Sequence, residues 1–229
     1  MKLTVAELAR MIDLSAVRAD VELAEVRRLA DVARHYRCVC AFVMPCYLPE
    51  LQGLLADAPH VGIGGVVGFP SGAASTATKA AEARQQLAQG ATELDMVINI
   101  GMLRSARDRY VEDDIRAVVE AAAGLPVKVI LEAHYLSDEQ IVRACGIAVR
   151  AGAAFVKTAT GWAETGATLH NVALIKSVVG GKAQVKAAGG VRDLDTVLEM
   201  IRRGVSRFGV GLDSGVKILK QCDETNHAR

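Results

Sequence analysis

The chain has 229 residues, with 27 Lys plus Arg against 26 Asp plus Glu for a formal charge of +1, and it is 51% hydrophobic but only 4% aromatic. At about 150 residues per domain the length allows one large domain or two small ones, and no linker-like stretch divides it. The balanced charge excludes a broad basic footprint for nucleic acid, no run reaches the ~18 apolar residues of a membrane helix, and Glu7 and Arg10 interrupt any signal peptide, so a cytoplasmic protein with neither nucleic-acid nor membrane partners is expected.

In chain order, a short helical segment over 1–10 precedes a brief strand, MIDLS (11–15). VELAEVRRLADVA follows with helical periodicity, and its basic residues alternate with apolar ones as on a solvated face. VCAFVMP (39–45) is a strand, and Cys38 just before it and Cys40 within it share one face. Five cysteines, an odd number without a paired framework, predict buried reduced thiols. His35, His60, His134, His170 and His227 are scattered without metal-ligand spacing, so no metal is expected.

VGIGGVVGF (61–69) is a strand whose glycines lie inside it, where a dinucleotide fingerprint would need them between strand and helix. TKAAEARQQLAQG is a helix ending at Gly90, followed by the strands ELDMVIN (93–99) and VKVILEA (127–133). SDEQIVRACGIAVRAG opens on a Ser137/Gln140 capping box and stops at Gly152. The strands AFVKTAT (154–160) and QVKAAG (184–189), a helix DLDTVLEMIRRG ending at Gly204, and a last strand SRFGVG (206–211) complete the series, with a polar tail over 221–229 expected to fray. Eight strands alternating with helices predict a single-domain α/β chain, a (β/α)8 TIM barrel over 1–229, in preference to an open doubly wound sheet.

Lys157 sits among Phe155, Val156, Thr158 and Ala159, and Lys186 occupies a similar place one unit later. An unpaired ammonium in an apolar strand is costly. Adjacent strands bring the two amines together, and like charge plus burial lower the pKa of one. A free lysine is neutral in about one molecule in 2,500 at pH 7, whereas one tuned to ~7 to 8 is neutral in a tenth to a half. That fits a Schiff-base nucleophile. Asp95, and with it Asp13, is a carboxylate in another apolar strand that can relay protons. The glycines Gly189, Gly190, Gly209, Gly211 and Gly215, with Ser214, follow the last two strands, where barrels of this type bind phosphate.

VVGFPSGAASTATKAAEA, ATELDMVINIG, FVKTATG and VKAAGGVR together resemble the deoxyribose-phosphate aldolase family, from about residue 11 to residue 220. The resemblance implies reversible cleavage of 2-deoxyribose 5-phosphate to glyceraldehyde 3-phosphate and acetaldehyde with no cofactor beyond the enzyme's own lysine. Lys157 matches the family's Schiff-base lysine, Lys186 the lysine that depresses its pKa, Asp95 the relay carboxylate, and Gly189 and Gly190 the backbone contacts to phosphate. Asp13, Ser15, Thr158, Thr160, Gly209, Gly211 and Ser214 are expected to complete the substrate-binding set, with small-molecule aldehydes and sugar phosphates as partners and a homodimer or higher homo-oligomer as the assembly.

The family pattern is altered at Phe42 and Met44, with Cys40 offset by two, at Trp162, and in the longer FGVGLDSG loop with its acidic Asp213. The alternatives are a Schiff-base aldolase with a different or unphosphorylated acceptor, and a non-catalytic sugar-phosphate-binding barrel. The tail lacks the terminal tyrosine found in some members, so it is not expected to take part in proton transfer.

Overall fold

Strand and helix signals resolve, in the computed structural model describing residues 3–227, into eight parallel strands that close into a barrel in chain order. They are β1 (Ile12–Ala16), β2 (Cys40–Val43), β3 (Gly62–Val67), β4 (Glu93–Val97), β5 (Val127–Ile130), β6 (Phe155–Lys157), β7 (Gln184–Ala188) and β8 (Arg207–Gly211). Closure is made by β1 on β8, with Ile12 opposite Phe208 and Asp13 opposite Gly209. The expected TIM barrel is therefore the observed one.

The helices are α1 (Val5–Ala9), α2 (Leu23–Tyr36), α3 (Leu48–Leu54), α4 (Thr76–Ala88), α5 (Ile100–Arg104), α6 (Asp108–Ala121), α7 (Asp138–Arg150), α8 (Leu169–Val179), α9 (Leu194–Arg202) and α10 (Leu212–His227). The long helices present an apolar stripe to the barrel, such as Val26, Leu29, Ala30 and Ala33 of α2 or Val111, Ile115 and Val118 of α6. The main hydrophobic core lies between these stripes and the outer strand faces. Helices α4, α7 and α9 are followed by Gly90, Gly152 and Gly204, with φ of 90°, 91° and 87°. Only a residue without Cβ enters that region cheaply, and the turn releases the chain into the next strand.

Strands β5 and β6 are shorter than their apolar patterns predict because the backbone is recruited to the mouth. Thr158, just past β6, receives the Ala188 N–H at 2.9 Å and donates its hydroxyl to the Ala188 carbonyl at 2.8 Å. Beyond β5, Glu132 enters the left-handed region at φ 54°, uncommon for a residue with a side chain.

The C-terminal segment differs from expectation. As far as His227 the residues predicted to fray are the closing turns of α10. Cys222 is buried, and Asn226, one turn later on the same face, donates from Nδ2 to the Leu3 carbonyl at 3.0 Å. Composition had suggested a solvated tail, but the i, i+4 pair that docks is sufficient to hold it. Ala228 and Arg229 lie outside the described residues, as do Met1 and Lys2 of the N-terminal segment, whose helix α1 opens on a Thr4/Glu7 capping box.

Candidate active site

Parallel pairing puts Lys157, the last residue of β6, directly opposite Lys186 of β7. Both side chains turn into the barrel and converge on one oxygen of Asp95 in β4: Lys157 Nζ lies 2.7 Å and Lys186 Nζ 2.6 Å from Oδ2. The other oxygen of Asp95 lies 3.3 Å from Lys128 of β5, its register partner. Asp13 of β1 completes the layer, with Oδ2 2.6 Å from Lys186 and Oδ1 accepting from Arg207 at 2.8 Å. Glu93 bridges Lys128 and Arg207 on the lower side, 3.2 Å from the guanidinium.

An aromatic floor supports the ammoniums. The Phe42 ring centroid is 4.1 Å from Lys186 Nζ and 4.6 Å from Lys128 Nζ, within cation–π range. The ring fits because residue 64 is glycine: a Cβ there would lie 2.5 Å from its carbons. Of the glycines inside β3, Gly64 thus makes room for an aromatic ring in the barrel, whereas a Cβ at Gly65 would meet the Gln86 side chain instead.

Three carboxylates, Asp13, Glu93 and Asp95, face four cationic groups, Lys128, Lys157, Lys186 and Arg207. One cation is surplus. Burial lowers the Lys157 pKa to about 8, with Lys186 acting the same way and Asp95 opposing. Burial alone would raise Asp95, but Lys157, Lys186 and Lys128 outweigh it and hold the carboxyl well below its usual range. Asp13 is held low in the same manner, against its burial, by Lys186, Lys128 and Arg207. Lys128 is driven the other way: burial disfavours its charge, but Asp95, Asp13 and Glu93 prevail and raise its pKa. With Lys157 neutral the layer balances, and that lysine alone borders open space.

The space is a cavity of about 200 Å³ at the C-terminal mouth, lined by Lys157 together with Ser15, Thr160, Gly189, Gly190, Gly209, Gly211 and Ser214. Two sequence-predicted binding residues lie elsewhere. Asp13 is fully buried beneath the mouth in the charge layer, and Thr158 is buried and occupied by Ala188. Asp13 points inward to Lys186 and Arg207, and Thr158 points toward the neighbouring strand β7. The acidic Asp213 is also absent from the cavity wall. It pairs with Arg28 at 2.7 Å and borders an adjacent open groove of about 620 Å³, where Arg18 pairs with Asp20 and Glu25 and no described ionisable group is buried.

Several site residues escaped the sequence reading. Lys128 carried the signal already used for Lys157, a lysine in an apolar strand. Glu93 and Arg207 stand at strand starts and look like surface charges. Arg192, just beyond the glycine turn, also lines the cavity. Glu132 is buried beside the mouth, where burial raises its carboxyl pKa, and it accepts from the Thr160 backbone N–H at 3.3 Å and from the Thr160 hydroxyl.

Asp13, Cys40 and Glu93 also bring donor atoms within 4.8 Å of one another. Their environment is poor for a cation, since both carboxylates are paired with Arg207 and burial holds the Cys40 thiol well above its usual pKa. The cysteines are all unbridged, with Cys46 alone exposed.

Residues 8–221 match the DeoC/LacD family aldolase. The deoxyribose-phosphate aldolase of Klebsiella pneumoniae subsp. pneumoniae is 47% identical over 96% of this chain and 90% of its own length. Deoxyribose-phosphate aldolase 1 of Bacillus licheniformis is 46% identical over 93% of this chain and 95% of its own. Among solved structures, the tetrameric deoxyribose phosphate aldolase of Aeropyrum pernix superposes with a TM-score of 0.88 at 31% identity, covering 97% of this chain and 93% of that one. A barrel closed in chain order and a likeness that runs through nearly every unit of it lead to one conclusion: the chain belongs to the DeoC/LacD aldolase family.

Proposed function

We propose that the chain is a class I aldolase that reversibly cleaves 2-deoxyribose 5-phosphate to glyceraldehyde 3-phosphate and acetaldehyde. The observation that carries this reading is the Lys157 amine, with a pKa lowered to about 8, standing at the floor of the cavity. About one molecule in ten then has a neutral amine at pH 7, a gain of a few hundred-fold over an ordinary lysine.

In the cleavage direction that amine adds to the aldehyde carbon, and loss of water from the carbinolamine leaves an iminium. Removal of the proton from the C3 hydroxyl breaks the C2–C3 bond, sends its electron pair into the iminium and releases glyceraldehyde 3-phosphate. The resulting enamine is protonated at carbon and hydrolysed to acetaldehyde and free Lys157. Asp95, touching both lysines, and Lys186 are positioned to carry the protons. The lysine supplies the covalent chemistry, so the reaction requires no cofactor.

The cavity supports a phosphorylated acceptor. Gly189 and Gly190, at φ of 81° and 86°, turn their peptides at the wall, Ser214 stands in the first turn of α10, and Arg192 adds positive charge. The Arg28 pairing of Asp213 removes the main electrostatic objection to phosphate there. Reduced thiols favour a cytoplasmic setting, and no described helix is long and apolar enough to cross a membrane. The tetrameric relative makes a homo-oligomer the favoured assembly.

The test is borohydride reduction with acetaldehyde followed by peptide mass mapping. A reduced two-carbon adduct on Lys157 is expected. Its absence, with labelling confined to exposed lysines, overturns the assignment.

A further inference from the structure

The mouth above Lys157 is crossed by one side chain. Trp162, in the loop after β6, donates its indole N–H to the Val17 carbonyl at 2.8 Å, in the loop after β1, although 145 residues separate the two. Its ring also meets Phe69, beyond β3, edge-on at 6.0 Å between centroids. These strands are not neighbours in the barrel. The indole therefore ties together three separated loops while forming part of the cavity wall with Lys157.

The attachment of the strap is built from below. The Trp162 backbone N–H donates to the Thr160 hydroxyl at 3.0 Å, and that hydroxyl donates in turn to buried Glu132. The carboxylate also receives the Thr160 N–H, so the chain leaving β6 is held at two points before it reaches the tryptophan. Glu132 adopts φ of 54° to do this. A non-glycine residue held there implies that the surrounding contacts outweigh the backbone cost. Trp162 itself is 45% exposed. An aromatic ring that is neither core nor freely solvated, and whose one polar atom is committed across a cavity, has the geometry of a wall for a ligand.

We propose that Trp162 is a specificity-determining residue that sets the length and bulk of the aldehyde acceptor, and that Glu132 and Thr160 are positioning residues that hold it across the mouth. This inference rests on the aldolase reading of the same site. The cavity of about 200 Å³ at the mouth suits a short acceptor, and a longer chain must pass the indole. Steric pockets of this kind discriminate by roughly 10- to 200-fold per unit of misfit.

The experiment compares aldol addition of acetaldehyde to propanal and to 3-phenylpropanal, two unphosphorylated acceptors that differ in bulk, in the wild type, W162F and W162A. W162A is expected to raise the ratio of kcat/KM for the bulky over the short acceptor by tenfold or more. W162F, which keeps a ring but loses the bond to Val17, is expected to fall between. Borohydride trapping of acetaldehyde on Lys157 is measured for each protein. An unchanged ratio in W162A, or an equal loss on both acceptors, with trapping intact, overturns the strap alone. No adduct in the wild type overturns the aldolase reading and the strap with it. E132Q, keeping the shape of Glu132 while weakening its hold on Thr160, is expected to shift the ratio in the same direction as W162F, and a fall in kcat without that shift overturns its positioning role.

Discussion

Two buried lysines in this protein look alike but stand in opposite surroundings. Lys79 of α4 lies 2.6 Å from Asp114 of α6, with neither side chain exposed, and it also donates to the Val97 carbonyl at 2.9 Å. Lys157 lies 2.7 Å from Asp95, and 6% of its side chain reaches the cavity. Burial lowers the pKa of both, against the pull of the partner carboxylate. Among the described residues Lys79 is the one ammonium on its carboxylate, has a second acceptor, and is fully buried. Lys157 shares its carboxylate with two other ammoniums and faces open space. A shifted pKa alone does not mark a nucleophile. The distinguishing features are competition for the counter-ion and a route for substrate.

The strongest break in the comparison comes from deleting each amine. Lys157→Ala is expected to reduce kcat by at least about 10⁴-fold while leaving the unfolding midpoint close to that of the parent. Lys79→Met should do the reverse. It leaves Asp114 buried and unpaired, costing about 3–5 kcal/mol in urea unfolding, while the adduct on Lys157 still forms in the folded fraction. A Lys79→Met/Asp114→Leu double variant is expected to recover most of that loss. If Lys79→Met abolishes trapping in folded protein, the two lysines are not separable as described.

The second break is on the pH axis. The wild-type rate of adduct formation should fall below about pH 8, where Lys157 gains its proton. Lys186→Leu removes a neighbouring positive charge, so the limb should move up by about one pH unit. Asp95→Asn removes the attraction that favours the ammonium, so the limb should move down even as turnover declines through loss of the relay. Trapping rates measured across pH separate these signs, and a shift of both variants in one direction contradicts the shared-counter-ion account. The smallest effect is Thr76→Val, which removes the 2.9 Å hydrogen bond to Asp114. A loss of about 1 kcal/mol in stability is expected with the same trapping profile as the parent.

The barrel was legible because both repeating patterns survive in the sequence: apolar runs give strands, and glycines after apolar-periodic segments give helix ends. Lys157, Lys186, Asp95 and Asp13 were legible as charges in apolar runs, and Lys128 follows from the same rule. Lys79 and Asp114 were not, because on an amphipathic helix a buried charge has the same polar neighbours in sequence as a solvated one. Nor was the assignment of Asp13 and Thr158 to layers below the cavity, which depends on how far each strand extends before it bends. The strap was visible only as an unusual residue at position 162. Its bond to a carbonyl 145 positions away lies beyond any local pattern.

The closure of β1 on β8, with Asn226 of α10 holding Leu3, has a consequence for synthesis. The first strand leaves the ribosome with one edge that only the last strand can cover. At 5 to 20 residues per second the intervening chain takes on the order of tens of seconds to make, and throughout that time the open edge is available to other chains. The nascent chain therefore faces its greatest exposure to strand-mediated aggregation before β8 has been translated, and conditions that slow elongation lengthen that exposure.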